Sequence, residues 1–201
     1  MLEQVLEHPK TQKRPPFRMP RQGEWTYQDW LNFPNDGWKY EIIDGVLFMV
    51  PPPAIKHQSS SISLAVKMYN HAGRYDLGKV LEAPCGVQLP GQPVPVEPDI
   101  LFIKKERLNI IGENYIEGAP DLIVEILSPS NPNHDRKTKF KLYQEAGVPE
   151  YWLVDYRAKT VEIFTLQAGR YVPSGQYGEG EKAASKEFEG FEVAVGALFD
   201  F

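Results

Sequence analysis

The run Asp121-Leu122-Ile123-Val124-Glu125-Ile126-Leu127 is apolar at odd and even positions alike, so as a strand it is buried on both faces. A strand covered on both sides needs packing layers above and below it, and the residues that follow provide one. Ser128-Pro129-Ser130-Asn131-Pro132-Asn133 breaks the strand, a helix is predicted from about Asp135 to Ala146 with Gly147 closing it, and Tyr151-Trp152-Leu153-Val154-Asp155 resumes a strand. Strand, helix and strand in so short a stretch form a βαβ-like unit. The expected class is α/β, a mixed sheet with helix cover.

The other segments fit that frame. Thr26 is a candidate N-cap for a short helix through Trp30, Leu31 and Phe33 that stops before Pro34. Tyr40 to Val50 reads as a hairpin turning at Asp44-Gly45, a favoured two-residue turn between β-prone runs, and Pro51, Pro52 and Pro53 end it. From His57 to about Ala72, Ile62, Leu64, Ala65, Met68, Tyr69 and Ala72 recur at helical spacing, with Gly73 as the stop. Strands are expected at Lys79 to Leu89, Glu97 to Ile103 and Thr160 to Leu166, and a closing strand and turn at Glu187 to Phe201. From Met1 to Gly23 no apolar periodicity is sustained, and prolines alternate with Lys10, Lys13, Arg14, Arg18 and Arg21. This stretch is read as a flexible arm, leaving residues 24–201 as one domain.

Composition narrows the function classes. At 201 residues the chain suits a single domain with a sizeable core. Cys85 is the only cysteine, which rules out an intramolecular disulfide or a cysteine zinc cluster and fits a reducing, cytoplasmic setting. No apolar stretch approaches the roughly 20 residues that span a bilayer, so no membrane partner is expected. The net charge of −5 argues against a broad cationic face for nucleic acid. An acidic enzyme can still handle a phosphodiester if a divalent cation brings positive charge to the reacting centre.

Glu125 is the most informative residue, because an unpaired carboxylate in a buried strand costs several kcal/mol. A buried ion pair or a metal ion would compensate it. Asp99, after Pro98 at the start of another apolar strand, is a second carboxylate that a neighbouring strand could bring alongside. Hard carboxylate oxygens with room for water suit Mg²⁺ or Mn²⁺. Among the basic residues of the following helix, the helical wheel selects Lys139. At about 100° per residue it lies on the side of Leu142, Tyr143 and Ala146, with Lys137 and Lys141 opposite. A lysine there is either a structural partner of Glu125 or a cation that orients or deprotonates a water. Tyr143 and Trp152 read as core, Asp121 and Asp155 as turn residues, and His8, His71 and His134 have no supporting context.

Pro98-Asp99, then Val124-Glu125-Ile126-Leu127-Ser128-Pro129-Ser130, then Asp135 with Lys139 and Tyr143, then Ala146-Gly147-Val148-Pro149-Glu150-Tyr151-Trp152 with Asp155 resemble the Uma2 family. Tyr40-Glu41-Ile42-Ile43-Asp44-Gly45, the proline run and His57 match the same pattern. The resemblance covers residues 24–201 and implies a restriction-endonuclease-like mixed sheet flanked by helices, of the PD-(D/E)xK nuclease type. The simple form of that motif places a lysine where Leu127 stands; in the family it has moved to the following helix, onto Lys139. The resemblance therefore implies a Mg²⁺- or Mn²⁺-dependent endonuclease acting on DNA. Asp99, Glu125 and the Ile126 carbonyl would hold the ion, Glu41 would add an outer acidic ligand, and His57 would be a polar group of the same pocket. Lys139 would position the attacking water. The alternative is a catalytically silent nuclease-like domain that binds nucleic acid or protein, with a homodimer as one form of it, which the acidic charge and the lack of an attached recognition domain favour.

Overall fold

The computed structural model of the chain describes residues 19–34, 36–128 and 134–200. Helix α1 (Tyr27–Trp30) precedes a hairpin of β1 (Lys39–Ile43) and β2 (Val46–Val50), and the long helix α2 (Ile55–Tyr75) follows. Next come β3 (Gly78–Glu82), β4 (Val87–Gln88), β5 (Ile100–Lys104), β6 (Ile116–Glu117) and β7 (Leu122–Ile126). A π-helical turn, His134–Lys139, runs into α3 (Phe140–Glu145), and β8 (Glu150–Asp155), β9 (Thr160–Gln167), β10 (Arg170–Tyr177), β11 (Lys182–Ala184) and β12 (Glu192–Ala194) complete the chain.

Six strands form the central sheet in the order β10-β9-β8-β7-β5-β3. β7 and β8 are parallel, as the βαβ reading requires, and the remaining pairs are antiparallel. Strand periodicity divides the core between the two faces. Leu122, Val124 and Ile126 pack with Leu64, Met68 and Ala72 of α2, together with Trp152 and Phe188. Ile123 and Leu127 pack on the other face with Leu142, Tyr143 and Tyr151. Glu125 lies between those two residues, so its side chain faces α3. The hairpin β1-β2 forms a separate two-stranded sheet, a wing beside the central one with its own small cluster of Trp25, Ile42 and Val94.

Several boundaries depart from the sequence reading for identifiable reasons. α2 runs through Gly73 and stops at Asp76, which takes the left-handed conformation at φ 55°. Its apolar set is wider than one face: Leu64, Ala65, Met68 and Ala72 are buried, whereas Ile62 and Tyr69 are exposed. The strand expected over Lys79 to Leu89 is split into β3 and β4 around Pro84. The expected helix over Asp135 to Ala146 starts as a π turn, and Gly147 closes it at φ 81°, with the Val148 N–H donating to the Tyr143 carbonyl. β6, β10 and β11 were not foreseen. The breaker stretch at Pro129 to Asn133, the arm up to Arg18, and Phe201 lie outside the described residues. Gln22 and Gly23 bond to the hairpin, Gly23 N–H to the Gly45 carbonyl and the Gln22 side chain to the Leu47 backbone.

The Thr26 cap is present as a capping box. Its hydroxyl accepts from the Asp29 N–H while the Asp29 carboxylate accepts from the Thr26 N–H. Thr26→Ala should therefore lower the stability of the whole domain by about 1 kcal/mol, read from the denaturant midpoint at unchanged slope.

Candidate active site

The ladder between β5 and β7 ends at the pair Ile100↔Val124, and one further step in that register sets Asp99 opposite Glu125. The strands part there. Instead of a backbone partner, the Ile126 N–H donates to Asp99 Oδ2 at 2.7 Å. The opening is a cleft of about 420 Å³, lined by both carboxylates, Ile126, Glu41, His57, His134, Asp135 and Lys139, with Met49 and the Pro51–Pro53 run on its rim.

Lys139 reaches the cleft from the π turn and is 4% exposed. Its Nζ donates to Glu125 Oε1 at 2.9 Å and lies 3.4 Å from Glu41 Oε1 and 3.8 Å from Asp135 Oδ1. Tyr143, buried as expected, also donates its hydroxyl to Glu125 Oε1 at 2.6 Å. Glu41 projects from the wing. Lys39 Nζ stands 3.1 Å from its Oε1, and His134 Nε2 is 2.8 Å from its Oε2. His57, in the first turn of α2, places Nε2 3.4 Å from Asp99 Oδ2. The structure thus brings together Asp99, Glu125, Lys139, Glu41, His57 and Ile126. Lys137 and Lys141 are exposed, while Asp121 and Asp155 serve elsewhere, Asp121 binding Arg107 and the Lys104 N–H and Asp155 capping the turn at Arg157 and Ala158.

His134 was missed. It is 5% exposed, packed on Phe48 with ring centroids 4.3 Å apart, and hydrogen-bonded to Glu41. Lys39 was missed as well, although its place two residues before Glu41 puts it on the same strand face.

The charges decide what each group can do. Burial works against the Lys139 ammonium, but Glu125, Glu41, Asp135 and Asp99 outweigh it and hold Lys139 well above the ordinary lysine value. Those neighbours favour its charged form, the form that donates hydrogen bonds. Burial alone would raise Glu41, yet Lys139, Lys39 and the His134 hydrogen bond hold it well below the usual carboxylate range. Asp99 is likewise held low against burial by His57, Lys139 and the Ile126 N–H. Burial pushes Glu125 up to about 8; Lys139 opposes the shift while Asp99 and Asp135 reinforce it. Asp135 is raised too, first by burial.

Six carboxylates, those of Glu41, Glu82, Glu97, Asp99, Glu125 and Asp135, therefore share one cleft with two lysines, Lys39 and Lys139, and burial, reinforced by Asp99 and Asp135, favours the protonated form of Glu125. That surplus of hard oxygen donors suits a divalent cation held by Asp99 and Glu125. Among the described residues no three His, Cys, Asp or Glu side chains are grouped to hold an ion by themselves. A bound Mg²⁺ or Mn²⁺ would fill its shell with water, the Ile126 carbonyl or phosphate oxygens, as Mg²⁺ does elsewhere.

A mixed sheet with helices on both faces, whose central strands part over an Asp, a Glu and a Lys, defines an α/β domain of the restriction-endonuclease-like class. The chain belongs to the Uma2 family, described as "Putative restriction endonuclease", which residues 26–196 match. Among solved structures it is similar to a "putative nuclease belonging to DUF820" from Anabaena variabilis ATCC 29413, with TM-score 0.68 and 18% identity over 87% of this chain and 97% of that one. At that identity the likeness establishes the fold. The type IIG restriction endonuclease BpuSI is similar at TM-score 0.39 and 15% identity, over 71% of this chain and 15% of that one, too distant to carry an argument. No curated protein matches. Among the described residues no helix is long and apolar enough to cross a membrane.

Proposed function

We propose that the chain is a metal-dependent endonuclease hydrolysing DNA phosphodiester bonds. The observation that carries this reading is the juxtaposition of Asp99, Glu125 and Lys139 in a cleft where carboxylates outnumber cations. Asp99 and Glu125, with the Ile126 carbonyl, would hold Mg²⁺ or Mn²⁺. When bound, such an ion polarises a phosphoryl oxygen and makes a coordinated water a stronger nucleophile at neutral pH.

The protein's own groups do the rest. Lys139, fixed as a cation between Glu125, Glu41 and Asp135, donates hydrogen bonds that hold a water in line with the scissile bond and offset charge growing on the phosphoryl oxygens. Glu41, bracketed by Lys39, Lys139 and His134, aims the Lys139 ammonium in this reading rather than ligating the ion. His57 steadies Asp99 from the first turn of α2. Family membership supports the substrate, and the acidic cleft accounts for the need for an ion, since phosphates entering it without one would meet a net negative charge.

Supercoiled plasmid incubated with Mg²⁺ or Mn²⁺ should be nicked or linearised, and EDTA should stop the reaction; an inert plasmid under both ions would reject the proposal. The site also has a pH signature. Because Glu125 holds its proton up to about pH 8, each ion that binds below that value must displace it. Calorimetric affinity for Mn²⁺ should rise about tenfold per pH unit below that value and level off above it. A flat profile from pH 6 to 9 would remove Glu125 from the ligand set.

A further inference from the structure

His134 stands where two otherwise separate parts of the site meet. Glu41 belongs to the wing, which among the described residues shares no strand pairing with the central sheet. Lys139 belongs to the π turn that follows β7. Side chains join the two: Lys139 Nζ lies 3.4 Å from Glu41 Oε1, and His134 Nε2 is closer still, 2.8 Å from Glu41 Oε2. Its ring also packs on Phe48, and Phe48 is the cross-strand partner of Glu41 in the hairpin. One imidazole thus grips both members of a single cross-strand pair.

The π turn explains how it can. Its wider winding brings His134, Asp135 and Lys139 inward together, all three buried, whereas an α-helix would turn His134 about 140° away from Lys139. Because Glu41 is ionised, Nε2 carries the proton and donates it into the hydrogen bond. Fixing Oε2 in this way leaves Oε1 to face Lys39 and Lys139, at 3.1 and 3.4 Å. The other ring nitrogen, Nδ1, is buried and has no hydrogen-bond partner among the described residues. A buried unpartnered nitrogen is costly, and a histidine placed only to fill space against Phe48 would be replaced by an apolar ring at no such cost.

We propose that His134 is a positioning residue: it locks the wing carboxylate Glu41 so that the Lys139 ammonium is aimed at the reacting phosphate. The proposal rests on the nuclease reading above. Without this latch the Glu41 carboxylate rotates and Lys139 is left to Glu125 and Asp135.

The test uses His134→Phe, which keeps a ring against Phe48 and removes the donor, and His134→Gln, which keeps an N–H near the position of Nε2. Single-turnover and steady-state cleavage are measured with Mn²⁺. His134→Phe should lower kcat about 10–100-fold with KM for DNA within about threefold, and His134→Gln should recover most of the loss. Amide hydrogen exchange of β1 and β2, measured without substrate, should quicken in His134→Phe and return toward wild type in His134→Gln. Equal damage in both variants, or wild-type kcat in His134→Phe, overturns the positioning role. If wild-type protein cleaves nothing, the nuclease reading fails and the positioning role falls with it; unchanged exchange in His134→Phe would then reject the latch as well.

Discussion

Lys139→Ala should lose about 3–5 kcal/mol of stability in metal-free buffer and about 10²–10³-fold or more of any cleavage rate, whereas Lys137→Ala and Lys141→Ala should stay within about 0.5 kcal/mol of wild type. The contrast follows from burial. Lys139 is enclosed and shared among Glu125, Glu41 and Asp135. Lys141 pairs only with Glu145 across an exposed helix turn, and Lys137 points outward. Removing Lys139 leaves a crowd of carboxylates facing Lys39 alone. Glu125 and Asp135 already sit above their ordinary values and take up protons more readily than the others. The stability loss should therefore shrink as pH falls, and millimolar Mg²⁺ should restore part of it by replacing the missing positive charge. Urea denaturation of the three variants at pH 6 and pH 8.5, with and without Mg²⁺, checks all of this. A Lys139→Ala protein with wild-type stability and cleavage would show that the cluster is a solvated surface feature.

That expectation also marks how far the sequence could be read. Glu125 betrayed itself because a carboxylate in a doubly buried strand has to be compensated, and Asp99 because it opens an apolar strand; the parting of β5 and β7 then sets the two opposite each other. Lys139 emerged from the helical wheel because the α-helical turns after it, with Leu142 and Tyr143, do follow 100° per residue. His134 fell just outside the helix expected from Asp135, whereas the π turn begins at His134 itself, and nothing in the local composition announces that winding. Tyr143 was legible as core but not as a donor to Glu125, because a tyrosine on an apolar face gives no sign of what its hydroxyl meets. β10 escaped notice for a different reason. Pro173 and Gly175 interrupt its strand pattern, and the chain tolerates them because β10 is an edge strand with a register shift between those residues. Lys39 and His134 acquire meaning only through Glu41, a contact between the wing and the π turn that spans 93 positions in sequence.

Glu125→Gln should leave the metal-free protein about as stable as wild type at pH 6, more stable than wild type at pH 9, and severely impaired in metal binding and cleavage. The direction follows from the Glu125 carboxyl, raised from 4.5 to about 8 in the fold. A carboxyl whose folded value exceeds its unfolded value gives its full share of stability below the unfolded value, and that share is lost as pH rises through the folded one. Between the two values the wild type should lose about 1.4 kcal/mol per pH unit from this group. Glutamine cannot ionise, so that slope disappears. Its carbonyl can still accept from Lys139 and Tyr143, and Lys139 keeps Glu41 and Asp135 as counter-charges. With Mg²⁺ the order reverses. At a hundredfold excess over Kd, wild type should gain about 2.7 kcal/mol and the variant far less, having lost an anionic ligand. A structural ion pair between Glu125 and Lys139 predicts the opposite metal-free result, because an uncharged partner would strand a buried cation and cost several kcal/mol at pH 6 and pH 9 alike. Chemical denaturation of both proteins at the two pH values, each with and without Mg²⁺, separates the cases; a pH-independent drop in the variant would remove Glu125 from the metal site and leave it a scaffold for Lys139.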